Sequence, residues 1–115
     1  MRLIIAMIRP TKLRAVQEAL EKIGVERITL CDAQGYGRQR GRTESYRGVE
    51  YQVNLLRKVL LEIAVNDDFV EPTIETLQRI ARTGTDGEFG DGKVMVLPLV
   101  DAIEIGGSQR GKGAI

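Results

Sequence analysis

Apolar residues along this chain come in short runs whose period changes from segment to segment. Residues 3–8 (LIIAMI) are apolar throughout and bounded by Arg9-Pro10, which predicts a buried strand. Leu13, Val16, Leu20 and Ile23 then recur at steps of three and four. They give one stripe of a helix that Thr11 is placed to cap and Gly24 to end. From residue 25 to 34 the period falls to two, with Ile28 and Leu30 on one face and Thr29 and Cys31 on the other, as in a half-buried strand. A third run, residues 59–65 (VLLEIAV), is interrupted only by Glu62. Asp67 and Asp68 are candidate caps for a second helix, Pro72 suits its first turn, and Val70, Ile74, Leu77 and Ile80 repeat the stripe. Residues 94–97 predict a fourth strand halted by Pro98, and a short fifth is expected near 102–105. From Gly106 onward the chain is glycine-rich and basic, and is expected to be mobile on its own.

The order is strand-helix-strand, loop, strand-helix-strand. It predicts one domain over residues 1–115 with an α+β, ferredoxin-like double βαβ fold: an antiparallel sheet carrying both helices on one face. The VLLEIAV strand is too apolar on both sides to be half wet, so an oligomer is expected to bury the second face. The fold alone assigns no function.

Composition narrows the chemistry. The chain is 43% hydrophobic, enough for a core, and 17 basic against 16 acidic residues leave a net charge of +1, which gives no electrostatic argument for nucleic acid or an anionic membrane. No apolar run is long enough to span a bilayer and no secretory signal is evident, so a cytoplasmic protein without membrane insertion is expected. Cys31 is the only cysteine and there is no histidine. This excludes Ser-His-Asp and Cys-His machinery and histidine-ligated metals, and points away from an enzyme.

Two polar segments carry the remaining information. Residues 35–55 hold three of the five aromatics, Tyr36, Tyr46 and Tyr51, among Arg38, Arg40, Arg42 and Arg47, with few aliphatic residues. A loop this long in a compact domain is functional or disordered, and the bland reading is a flexible hairpin extension. Tyrosines among arginines also suit RNA stacking, but the RNA-binding module of this fold needs aromatics on its central strands, and LIIAMI and VLLEIAV carry none. The second segment, residues 87–93 (GEFGDGK), matches the front of a phosphate-binding P-loop. Val94 stands where Ser or Thr should follow, and the lysine leads into a strand rather than a helix, so a P-loop NTPase is rejected. A glycine nest at Gly90-Asp91-Gly92 beside Lys93 could still hold phosphate oxygens, with an ordinary turn as the alternative.

These pieces together resemble the PII family of nitrogen signal-transduction proteins. The run GYGRQRGRTESYRGVEY (residues 35–51) resembles its T-loop base and T-loop, and ARTG (81–84) followed by GDGK (90–93) resembles its B-loop. Arg9-Pro10, Lys58 and Glu62 fall in step. The resemblance implies a homotrimer with a T-loop at about 37–55, a B-loop at about 84–92 and a C-terminal segment at about 101–115. It implies ATP or ADP in clefts between subunits. Gly35, Gly37, Arg38 and Gln39 would lie at the T-loop base, Thr29, Glu62 and Ala64 beside adenine and ribose, and Gly90, Asp91, Gly92 and Lys93 at the phosphates. Gln39 and Lys58 would meet magnesium and 2-oxoglutarate, and Tyr51 matches a tyrosine that is uridylylated in many bacterial members. The implied partners are an ammonium transporter, a uridylyltransferase or nitrogen-metabolism enzymes, with no nucleic acid.

The chain departs from the pattern in two places. Its B-loop is a few residues longer, and Glu104 and Gly106 stand where two phosphate-binding arginines are usual, leaving Arg110 and Lys112 as substitutes. The alternatives are therefore a variant sensor of adenine nucleotides or another small molecule without a 2-oxoglutarate response, and, from a different class, an RNA-binding domain.

Overall fold

The LIIAMI run becomes the central strand because both of its faces are apolar. In the computed structural model, which describes residues 1–36, 44–46, 49–51 and 55–115, it forms β1 (Arg2–Ile8), with Ile4, Ala6 and Ile8 buried on one side and Leu3, Ile5 and Met7 half-buried on the other. A 3-10 turn, Pro10–Lys12, leads into α1 (Leu13–Lys22). Strand β2 (Thr29–Tyr36) follows, then a short antiparallel pair, β3 (Glu44–Tyr46) and β4 (Val49–Tyr51). Next come β5 (Leu55–Val65), a 3-10 turn Asp67–Phe69, α2 (Val70–Ala81) and β6 (Gly92–Pro98).

The main sheet has the order β2-β5-β1-β6 with every neighbour antiparallel. Ile4, Ala6 and Ile8 of β1 lie opposite Ile63, Leu61 and Val59 of β5, and this face meets Val16 and Leu20 of α1 and Leu77 and Ala81 of α2 in one core. The expected ferredoxin-like α+β arrangement is therefore the observed one. On the far face Leu3, Ile5, Met7, Leu60 and Ala64 are half-buried, and Met95 and Leu97 are exposed. No element among the described residues covers that face.

Several expected boundaries move, for local reasons. Thr11 caps nothing: it lies inside the 3-10 turn, which starts with Pro10, whose missing N–H costs nothing there. Asp67 and Asp68 make no cap either; Asp67 takes the chain's terminal amine at 2.9 Å. Strand β2 starts at Thr29 rather than 25 because Val25 is used to close α1. Gly24 sits at φ +86°, its N–H reaches Glu21 O at 3.0 Å, and Val25 N–H reaches Leu20 O at 2.9 Å, a Schellman closure with buried Val25 against buried Leu20. Strand β5 begins four residues before the apolar run, because Leu55–Lys58 pair with Tyr36–Ala33. In α2 the deepest side chains are Thr73, Thr76, Leu77 and Ala81, and the Thr76 hydroxyl is satisfied by Pro72 O at 2.7 Å.

The fifth strand does not form. One bridge joins Ile103 to Arg110, flanked by Glu104 N–H to Gln109 O at 3.1 Å and Gly111 N–H to Ala102 O at 2.8 Å. The tail expected to be mobile is folded back by these bonds, by a 2.7 Å ion pair from Arg110 to Asp101, and by Asn66 Nδ2 donating to Lys112 O at 3.4 Å. It ends in a 3-10 turn, Gly111–Ala114.

Candidate functional site

Because β1 lies between β5 and β6, the end of β1, the start of β5 and the loop entering β6 share one edge of the sheet. There the B-loop folds around one carboxylate. Asp91 Oδ2 accepts the backbone N–H groups of Thr83 at 3.0 Å and Glu88 at 2.8 Å. Its Oδ1 accepts the Thr83 hydroxyl at 2.6 Å and Arg9 Nε at 3.1 Å. Arg9 also donates to Phe89 O at 3.0 Å and lies 3.5 Å from Glu88 Oε2. Lys58 Nζ donates to Gly90 O.

Partial burial alone would raise the Asp91 carboxyl. The Thr83 amide and hydroxyl, the Glu88 amide and the Arg9 cation outweigh it and hold the group well below the usual carboxylate range. Lys58 is lowered from the ordinary lysine value by burial and by Arg9, with Asp91 opposing. Its amine sits between a second cation and a carbonyl, a setting that favours an incoming anion.

Two glycines are dictated by geometry. Gly92 has φ +110°, and a Cβ there would stand 1.7 Å from Met7 O, so only glycine lets β6 register against β1. Gly90, at φ +97°, turns its carbonyl to Lys58, and a Cβ would approach Arg9 at 3.5 Å. Lys93 lies opposite Met7, is exposed, and joins no ion pair among the described residues. Lys93 is the second residue of β6, so the loop enters a strand, where a P-loop would enter a helix.

The other expected site residues form a second group. Thr29 lies directly opposite Glu62, Ala33 opposite Lys58, Ala64 opposite Leu3 and Gly35 opposite Leu56. Cross-strand partners share a face, and so do Lys58, Glu62 and Ala64 at even spacing along β5. The sheet face away from the helices thus carries Thr29, Glu62 and Ala64 at one end and, about 13 Å along β5, Lys58 with the B-loop at the other. Gly37, Arg38 and Gln39 lie outside the described residues. Tyr51 pairs through its backbone with Glu44, and its side chain lies outside the described residues.

The model of the nitrogen regulatory protein P-II family matches residues 1–109. The chain belongs to the P-II family. It is 50% identical to nitrogen regulatory protein GlnK1 of Methanosarcina mazei over all of this chain and 97% of that one. It is 47% identical to nitrogen regulatory protein P-II of Rhodospirillum rubrum over the whole of both chains. Nitrogen regulatory protein P-II 1 of Methanothermobacter thermautotrophicus is 44% identical over all of this chain and 97% of its own. Membership supports nitrogen signal transduction and a regulator rather than a catalyst.

Within this P-II chain, sequence reasoning missed the supports of the B-loop. Asp91 spends its carboxylate and its N–H, which donates to Glu88 O at 3.2 Å, on the loop itself, so its geometry shapes the nest rather than touching an anion. Arg9 and Thr83 do the same work from outside. The sequence signal was present in the Arg-Pro that ends the first apolar strand and in the ARTG motif. Arg110, a candidate phosphate contact, is held by Asp101, which it keeps below its ordinary pKa by a side-chain hydrogen bond. Among the described residues no three His, Cys, Asp or Glu side chains converge as a metal site, and Gln39, the expected magnesium contact, lies outside them.

Proposed function

We propose that this P-II protein is a trimeric sensor of adenine nucleotides, and of 2-oxoglutarate with magnesium and ATP, that regulates partner proteins through its T-loop. The observation that carries this reading is the junction of the GDGK loop with Lys58. A phosphate-suited nest and a cation suited to a dicarboxylate are joined directly, Lys58 Nζ donating to Gly90 O, although 32 positions separate the two residues. Gly90, Gly92 and Lys93 would hold the phosphates, and Thr29, Glu62 and Ala64 of a neighbouring copy the base and ribose. Bound ATP supplies charge and a seat for magnesium; Lys58 would orient the dicarboxylate. The apolar sheet face without a covering layer supports burial between copies. The T-loop would then engage an ammonium transporter or nitrogen-metabolism enzymes in the cytoplasm, with Tyr51 open to a uridylyltransferase.

Calorimetry with ATP, ADP, AMP and 2-oxoglutarate tests it. ATP and ADP should bind, 2-oxoglutarate should bind only with magnesium and ATP present, and Lys93→Ala should weaken ATP about tenfold to a hundredfold, the value of one charge-assisted bond. No heat with any nucleotide overturns the reading.

A second reading is favoured by Glu104, Gly106 and the Arg110–Asp101 pair: a nucleotide sensor without the 2-oxoglutarate response. Heat with ATP and none on adding 2-oxoglutarate to that complex would select it.

A further inference from the structure

The pocket between the first 3-10 turn, the start of β5 and the B-loop is walled by three cations, Arg9, Arg57 and Lys58, together with Leu56, Phe89 and Gly90. A pocket of that charge invites a small anion. Yet the loop already supplies carboxylates to one wall. Asp91 takes the Nε side of Arg9, and Glu88 Oε2 stands 3.5 Å from its terminal nitrogen. The two acids are placed differently. The Asp91 side chain is 18% exposed and bonded to Thr83 and the Glu88 amide, so it is part of the loop's frame. Glu88 is 60% exposed, and among the described residues its carboxylate meets Arg9 as its only ion-pair partner.

Glu88 does not line the pocket, but it is held against the Arg9 wall rather than left to wander. Its N–H is bound by Asp91 Oδ2 at 2.8 Å and its carbonyl by Asp91 N–H at 3.2 Å, so little backbone entropy remains to be lost when the carboxylate pairs.

We infer that Glu88 is a built-in competitor for this cationic pocket and sets the concentration at which an external dicarboxylate displaces it. The inference rests on the reading above, that the pocket takes 2-oxoglutarate beside magnesium-ATP. An entering dicarboxylate must draw Arg9 and Lys58 away from the loop and push Glu88 outward. Its carboxylate also repels a free dianion, while a ligand whose charge is shared with magnesium meets less repulsion.

Glu88→Gln keeps the side chain's size and leaves both backbone bonds to Asp91 intact, so the loop retains its frame. Titrating 2-oxoglutarate into the magnesium-ATP complex of the full chain should give an affinity about two- to fivefold tighter for Glu88→Gln than for wild type, the scale of one exposed ion pair. The gap should narrow as ionic strength rises, since exposed charges are screened. Glu88→Asp, too short to reach Arg9 yet still acidic, should fall between the two. Equal affinities for wild type and Glu88→Gln, both binding, overturn the competitor and leave the ligand reading standing. If neither binds 2-oxoglutarate while both bind ATP, the ligand reading fails and the competitor falls with it.

Discussion

Arg9 Nε meets Asp91 Oδ1 at 3.1 Å across 82 positions of sequence. Arg9 directly follows β1 and Asp91 directly precedes β6, and these strands are hydrogen-bonded neighbours, so the pair closes the end of the sheet at the mouth of the site. It also fixes what the B-loop presents. With its charge satisfied by Arg9, Asp91 gathers Thr83 and Glu88, and the carbonyls of Phe89 and Gly90 face Arg9 and Lys58.

Removing that hub should loosen the loop before it unfolds the protein. Asp91→Asn keeps one acceptor but loses the ion pair and the bond from either the Thr83 hydroxyl or an amide. The cost should be about 1–3 kcal/mol in denaturant unfolding, with faster amide exchange at Thr83 and Glu88. The pH dependence has a definite sign. The folded carboxyl lies below its unfolded value of about 3.9, so its stabilisation is present above that value and is lost only as pH falls through the lower folded one. Protection of Thr83 and Glu88, that is, exchange measured against the intrinsic rate at each pH, should therefore stay unchanged from pH 7 to about 4.5 and fall only in stronger acid. A loss of protection near pH 6 would show that another group holds the loop.

Gly92 and Gly84 separate steric from conformational cost. Both have positive φ, but a Cβ on Gly84 meets nothing within 4 Å, whereas one on Gly92 strikes Met7 O at 1.7 Å. Gly84→Ala should cost about 1 kcal/mol, the usual left-handed penalty. Gly92→Ala must shift β6 against β1 and should lower stability by at least about 3 kcal/mol or prevent folding. Similar melting temperatures for the two variants would show that β6 yields.

The elements with strong periodicity were legible in the sequence, and the site was legible only in part. Leu13, Val16, Leu20 and Ile23 marked α1, and LIIAMI marked the central strand, because each pattern reports which face is buried. What the pattern could not carry was local backbone bonding. The Schellman closure at Gly24 and Val25 delayed β2, and the back-folding of Arg110 onto Asp101 ordered a tail whose composition reads as mobile. The B-loop motif was visible as a string of glycines around Asp91. Its frame was hidden, because Arg9, Lys58 and Thr83 reach Asp91 and Gly90 only once the strand order is known.

The sheet face away from the helices makes a prediction about assembly. Met95 and Leu97 are 40% and 41% exposed on edge strand β6, beside half-buried Leu3, Ile5 and Met7. If copies bury this face as the trimer reading requires, Leu97→Glu places a charge in an apolar interface. Wild type should sediment as a trimer at micromolar concentration, and Leu97→Glu as a monomer with weakened ATP binding, since the neighbouring half of each cleft is lost. A monomeric wild type that binds ATP normally would overturn the shared cleft.

Lys58 offers the sharpest test of how the nucleotide and dicarboxylate inputs are linked. Its amine holds Gly90 O, so it ties the foot of the T-loop, where β5 enters the sheet, to the B-loop. Burial and Arg9 both disfavour its charge, and Asp91 alone among its neighbours' charges favours it. A dicarboxylate carrying negative charge into the pocket would remove that disadvantage and take the amine from Gly90. The B-loop and the T-loop foot would then separate together, giving one ligand leverage over both, typically about 1–3 kcal/mol of coupling. Lys58→Ala should therefore abolish 2-oxoglutarate binding. It should weaken ATP only slightly, within about fivefold, because the tether supports the nest without touching phosphate. Lys58→Arg should recover part of the anion affinity, as the charge is kept while the fork cannot copy the single bond to Gly90 O. Protease sensitivity of residues 37–54 should change with 2-oxoglutarate in wild type and stay fixed in Lys58→Ala. A Lys58→Ala protein that still binds 2-oxoglutarate and still switches would move the anion site elsewhere and leave Lys58 as a brace of the B-loop.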